Sequence, residues 1–198
     1  MKKNRYASVI TCLLLLSIAC NKEAQQTTSP VLQTSAAGHQ HAAKHFIGEH
    51  FGGGIIYYLD GSGKHGLIAA TLDFEEPSPW SLKNRLNKAK DTTLGAGATN
   101  TINIYNAQGY PQSEAYTYAA LQCLELTLNG YQDWYMPSLN ELNEMYKNRL
   151  VIGGFAPFLY WSSSEVNATT AWTKRFSTGS PELQPKTSKY AVRPSRRF

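Results

Sequence analysis

Cysteine is scarce in this chain: three among 198 residues. Cys12 and Cys20 fall in or at the end of an N-terminal export segment, which leaves Cys123 alone in the region that folds. A lone cysteine closes no intrachain disulfide, so a disulfide scaffold is excluded there, and so is a cysteine-built metal cage. Charge is sparse at 17%. All five histidines sit at or before His65, so no histidine accompanies the serine-rich segments late in the chain. No catalytic triad and no internal repeat is visible. Gly52-Gly53-Gly54 lacks the helix start and the Lys-Ser/Thr pair that a phosphate loop needs.

What is present begins with an address. Lys2, Lys3 and Arg5 precede the mostly apolar Ile10–Ile18, and Ala19-Cys20 closes the segment. This is the pattern of a secretory signal over residues 1–19. The apolar part is too short for a membrane-spanning helix, which needs about 20 apolar residues. Leu16-Ser17-Ile18-Ala19-Cys20 resembles a bacterial lipobox, which makes Cys20 the expected lipidated residue and the membrane an expected partner through that lipid. The alternative is an ordinary signal peptide cut elsewhere. The expected location is the cell envelope, at the outer membrane or cell surface.

The formal net charge of +5 comes from 19 basic against 14 acidic residues. Three of the basic residues belong to the signal; without them 16 face 14 and the balance is near +2. Nucleic acid is not expected as a partner. The remaining basic residues gather late, from Lys174 to Arg197. They form either a solvated rim or a patch suited to a polyanionic surface glycan.

Residues 20–44 are rich in Gln, Thr, Ser and Ala and read as a flexible tether. His39, His41 and His45 at its end lack the Cys or acidic partners of a metal site, and neither metal nor cofactor is expected. Residues 45–198 have the length of one domain. Gly54–Leu59 and Gly66–Ala70 read as a hairpin around Asp60-Gly61-Ser62-Gly63. Residues 74–112 read as long loops. Ser113–Leu128 reads as a helix with Tyr116, Ala119, Ala120, Cys123, Leu124 and Thr127 on one face, which makes Cys123 a small core hydrophobe. Asn129-Gly130 is its stop signal. Ser138 with Glu141 is a capping box that opens a second helix to about Arg149, with Leu139, Leu142, Met145 and Tyr146 inward. Strands follow at 160–163, 171–177 and 189–193. The expected fold class is α+β, an antiparallel sheet with two helices and long loops.

Several segments together carry a resemblance. They include Gly63-Lys64-His65-Gly66-Leu67-Ile68-Ala69-Ala70, Gly130-Tyr131-Gln132-Asp133-Trp134-Tyr135-Met136-Pro137-Ser138, Tyr160-Trp161-Ser162-Ser163-Ser164-Glu165, Ala171-Trp172 and Val192-Arg193. In this order and spacing, residues from about 47 to 198 resemble the Lcl C-terminal-type domain, named after the Legionella collagen-like protein. The resemblance implies a variant of the C-type lectin-like fold, deployment at the surface, often on lipoproteins of Bacteroidota-type bacteria, and adhesion or ligand display. Some relatives bind sulfated glycans. Calcium-dependent lectins use carboxylate-bearing triplets for a hard cation. Here Gln184-Pro185-Lys186 puts an ammonium in that place, and Asp133-Trp134 lacks the triplet's asparagine. The reactive cysteines of the related formylglycine-generating enzymes are missing too.

The expected function is non-catalytic binding of a surface glycan or a protein by a lipid-anchored domain. A structural part in an envelope assembly is the alternative, and an enzyme acting on polysaccharide, with Glu165 essential, is a further one. Alternation along 171–177 places Trp172, Lys174 and Phe176 inward and Thr173, Arg175 and Ser177 outward. The loops 165–170 and 180–187 flank that strand, so the candidate ligand-binding residues are Glu165, Asn167, Thr170, Thr173, Arg175 and Lys186. Ser162, Ser163 and Ser164 read as hydroxyls that satisfy turn backbone. Arg193 is a candidate partner for Glu141 or Asp133 inside the fold.

Overall fold

The structure, a computed structural model, describes residues 44–113 and 116–198. The signal 1–19, Cys20, the tether to residue 43, His39 and His41 lie outside the described residues. Among those described, no helix is long and apolar enough to cross a membrane.

The domain is α+β with antiparallel sheets. A four-stranded sheet has the order β1-β2-β3-β9, from His50–Phe51, Gly54–Leu59, Gly66–Ala69 and Ser195–Arg197. The last strand thus closes on the first hairpin, with Leu67 opposite Arg197 and Ala69 opposite Ser195. A three-stranded sheet joins β5 (Leu159–Glu165), β6 (Thr170–Arg175) and β7 (Pro181–Pro185). A short ladder pairs β4 (Ser78–Pro79) with β8 (Lys189–Tyr190). The hairpin turn is fixed by Asp60, whose Oδ1 accepts from Ser62 N, Ser62 Oγ and Gly63 N. That pattern is how aspartate replaces backbone pairing in a turn.

Helix α3 (Leu139–Lys147) has the expected capping box: Ser138 Oγ accepts from Glu141 N at 3.2 Å, and Glu141 Oε2 accepts from Ser138 N at 2.7 Å. Leu142 and Met145 pack with Ile55, Tyr57 and Tyr160, which lays α3 on one face of the four-stranded sheet. Ile56, Ile68 and Trp134 fill the other face. A short helix, α4 (Arg149–Ile152), follows α3.

The helix expected over 113–128 is shorter. Helix α2 spans Ala119–Glu125, because Tyr118 and Leu126 are extended at its two ends. Tyr116, expected inward, is 63% exposed, while Ala119, Ala120 and Cys123 are buried as expected. Asn129 and Gly130 both have positive φ (52° and 83°) and sit between Leu128 and Tyr131, which bond to each other. They form a tight turn of the kind that joins paired strands rather than the end of a helix.

Three elements correct the loop expectations. Residues 74–112 contain β4 and α1 (Gly97–Gln108), and residues 180–187 contain the strand β7. The α1 sequence is poor in strong helix formers, and packing supplies what propensity does not. Ile104 enters the core, and the buried Thr101 hydroxyl donates to Gly97 O and accepts from Met136 N. Strand β7 is an edge strand with proline at both ends, a position that tolerates the missing donors.

Candidate functional site

Glu165 and Lys186, expected on ligand loops, are enclosed and bonded to each other. Lys186 Nζ lies 2.7 Å from Glu165 Oε2, and both side chains are 0% exposed. The carboxylate also accepts from the backbone of Asn87 and Ala89 and from Asn87 Nδ2. Burial alone raises the Glu165 carboxyl, but the bonds from Lys186 and Asn87 outweigh it and hold the group below its ordinary range. Burial depresses the Lys186 ammonium, with Glu165 only partly offsetting it. The ammonium also sits over the Trp80 ring at 4.4 Å. Neither residue presents a charge to solvent, so Glu165 offers no carboxylate to a surface polysaccharide.

The other candidates divide. Thr173, expected outward, is buried and donates to Glu182 O. Trp172, expected inward, is half-buried, whereas Phe176 is in the core as expected. Both faces of the strand are covered: α1, α2, Trp80 and Trp161 lie on the Ala171 side, and Tyr146 of α3 lies against Lys174 and Phe176 on the other. Lys174 is buried beside the Tyr146 ring and donates to Gly179 O at 2.6 Å. Arg175 is half-exposed and paired with Glu182 at 2.5 Å. Asn167 is exposed, but its Oδ1 is occupied by Thr169 and Thr170, and it shapes the turn between β5 and β6. Thr170, the first residue of β6, is half-buried.

The serines expected to satisfy a turn lie in strand β5; Ser162 and Ser164 bond to backbone, while Ser163 Oγ accepts from Asn100 Nδ2. Ser162 Oγ donates to Trp172 O and Ser164 Oγ to Asp91 O. Arg193 pairs with neither Glu141 nor Asp133. Its Nε donates to Asp73 Oδ1, and its Nη atoms donate to the carbonyls of Ala70, Gly153 and Gly154. Asp133 instead holds Arg196 through two bonds of 2.8 and 2.9 Å.

With Glu165, Lys186 and Thr173 internal, an open polar surface is found elsewhere. A cleft of about 440 Å³ runs along the start of α1, lined by Lys88, Asp91, Asn100, Asn103, Leu94 and Arg197. A second hollow of about 260 Å³ shares Leu94, Gly95 and Arg197 with it and adds Tyr58, His65 and Phe198. The two adjoin as a groove, polar at one end and aromatic at the other. Lys88 and Arg197 are exposed. Asn103 Nδ2 donates to Lys88 O, and Asn100 Nδ2 donates to Asp91 O, which fixes the loop as the cleft wall. Bonds from Thr93 hold the Asp91 carboxyl below the usual range. The arrangement offers two exposed cations and the Asp91 carboxylate beside an apolar hollow. That is binding chemistry: hydrogen bonds set orientation while apolar contact supplies affinity. Sequence reasoning missed the cleft because it missed α1; only Arg197 stood out, as part of the late basic group. Among the described residues, no group of three or more His, Cys, Asp or Glu gathers where it could hold a metal ion.

Comparison with known proteins bears on the quoted segments from Gly130 onward; Gly63–Ala70 lies outside the family match. No curated protein matches. Among solved structures, a fimbrial protein from Bacteroides ovatus ATCC 8483 aligns at 13% identity and a TM-score of 0.45, covering 72% of this chain and 43% of that one. This chain therefore spans less than half of that protein, and a likeness of that size assigns neither fold nor role. The family model of the Lcl C-terminal domain matches residues 78–196, from β4 into β9. By that match the chain belongs to the Lcl C-terminal domain family.

Proposed function

We propose that this is a lipid-anchored surface protein whose domain, a variant of the C-type lectin-like fold, binds a surface glycan without catalysis. The cleft beside α1 carries the reading. It is open, about 440 Å³ in volume, and lined by two exposed cations and the Asp91 carboxylate next to an aromatic end. Planar apolar surface suits the faces of sugar rings, and charged donors and acceptors suit their hydroxyls. The charged pairs Glu165–Lys186 and Arg193–Asp73 serve the scaffold in this reading. The test is a broad glycan array probed with the purified protein, with and without a calcium chelator. Chelator-insensitive binding to one glycan class is the expected result. A blank array contradicts the glycan reading.

A second reading has an observation of its own. Leu150 is 87% exposed beside a hollow lined by Phe155, Ala156 and Pro157. An apolar face of this kind suits a protein partner in an envelope assembly. Stable copurification with one protein and no glycan binding favours it.

A further inference from the structure

The surroundings of Lys186 contain more than an ion pair requires. Asn87 is buried beside it, and the two side-chain nitrogens share both of their acceptors. Lys186 Nζ donates to Glu165 Oε2 at 2.7 Å and to Arg85 O at 3.1 Å. Asn87 Nδ2 donates to the same Glu165 Oε2 at 3.2 Å and to the same Arg85 O at 2.7 Å. Groups that bond to the same two oxygens are neighbours, so the amine and the side-chain amide lie side by side. The amide carbonyl is occupied as well: Asn87 Oδ1 accepts from Gln108 Nε2 at 2.8 Å.

Each part has a role in acyl transfer. Lysine is a nucleophile once it gives up its proton, and exclusion of water favours that neutral form. Glu165 contacts both nitrogens and is placed to carry a proton from one to the other. A donor on the amide oxygen stabilises the negative charge that develops there when the carbonyl carbon is attacked.

We propose that Lys186 and Asn87 join in an intramolecular isopeptide bond, with Glu165 as the proton carrier and Gln108 as the oxyanion donor. The starting pair is an ammonium and a carboxylate. Glu165 takes one proton from Lys186, and the free Nζ attacks Asn87 Cγ. A carbon–nitrogen bond forms between Nζ and Cγ. As the tetrahedral centre collapses, the Cγ–Nδ2 bond breaks. Glu165 relays a proton from the attacking nitrogen to Nδ2, which leaves as ammonia. The products are a secondary amide, one ammonia and a protonated Glu165, so no oxidant or co-reactant is needed. The bond ties the chain after β7 to the loop before α1. It fixes the backbone at Lys88, on the rim of the cleft.

Peptide mass mapping of the folded full-length protein tests this directly. The expected result is a branched species that joins the Asn87 peptide to the Lys186 peptide, lighter than the two together by one ammonia. Trypsin then fails to cleave after Lys186. Lys186→Arg keeps the charge opposite Glu165 but lacks the amine chemistry; it is expected to lose the branched species and to melt at a lower temperature. Recovery of both peptides unlinked from the folded wild type overturns the proposal. So does loss of ammonia confined to the Asn87 peptide alone, which marks a cyclic imide at Asn87-Lys88 instead of a cross-link.

Discussion

Arg193 Nε meets Asp73 Oδ1 at 2.6 Å, with the arginine side chain fully enclosed and its remaining donors on the carbonyls of Ala70, Gly153 and Gly154. The guanidinium also stacks on Phe155 at 4.1 Å. One side chain therefore ties β3, the loop after α4 and the segment leading to β9. Asp73→Ala leaves this cation buried without its counter-charge. Removing one partner of a buried pair costs on the order of 3 kcal/mol or more. Denaturant unfolding of the variant is expected to show a loss of that order. A loss within ~0.5 kcal/mol, the range of neutral surface changes, contradicts the role given to Arg193.

Gly97→Ala tests why α1 starts where it does. Alanine favours a helix over glycine by about 1 kcal/mol. A Cβ here collides with the Glu141 carboxylate and lies 2.8 Å from both Met136 O and Tyr135 Cε2. Overpacking costs typically 1–3 kcal/mol. The net effect is destabilising, and thermal unfolding is expected at a lower temperature. A rise in melting temperature overturns the packing argument.

Glu141 makes stability depend on pH. Its burial raises the carboxyl above the ordinary 4.5, and the bonds from Ser138 and Gly95 offset this only in part. Between the unfolded and the folded value, the folded state holds the proton more tightly than the unfolded chain. The group's contribution to stability is therefore complete below the unfolded value and is lost as pH rises through the folded one. Denaturation curves from about pH 4 to pH 7 read this slope. Glu141→Gln is expected to flatten it, and an unchanged slope assigns the dependence elsewhere.

How much of this was legible in the sequence depended on how local each signal was. The Ser138–Glu141 capping box and the Asp60 turn are closed by residues within one turn of each other, and both are where the sequence put them. Helix α1 is held by Ile104, Thr101 and the close approach at Gly97, contacts that no propensity encodes. Strand β7 has proline at both ends and reads as loop until β6 is laid beside it. Glu165 and Lys186 were both singled out, but as ligand contacts. They lie 21 residues apart, and only the pairing of β5, β6 and β7 brings them together. The family segments were legible because they carry many of these long-range contacts at fixed spacing.

Cys123 is expected to be silent in the folded protein. It is fully buried among Ala119, Ala120 and Trp80, and burial pushes its thiol well above the ordinary range. The thiolate is the reactive form. A thiol reagent should label it only on unfolding. Rapid labelling under native conditions contradicts the packing of α2.

The binding account itself rests on where the ligand sits. Arg197 lines the cleft, and Arg175 lies on the other sheet, paired with Glu182. The direct measurement is a titration of the glycan class selected on the array against wild type, Arg197→Glu and Arg175→Glu, each checked for folding by thermal unfolding. The account expects Arg197→Glu to weaken binding by roughly tenfold or more, the equivalent of about 1.4 kcal/mol, while Arg175→Glu binds like wild type. Binding that survives Arg197→Glu and falls with Arg175→Glu contradicts it and returns the site to the loops around β6.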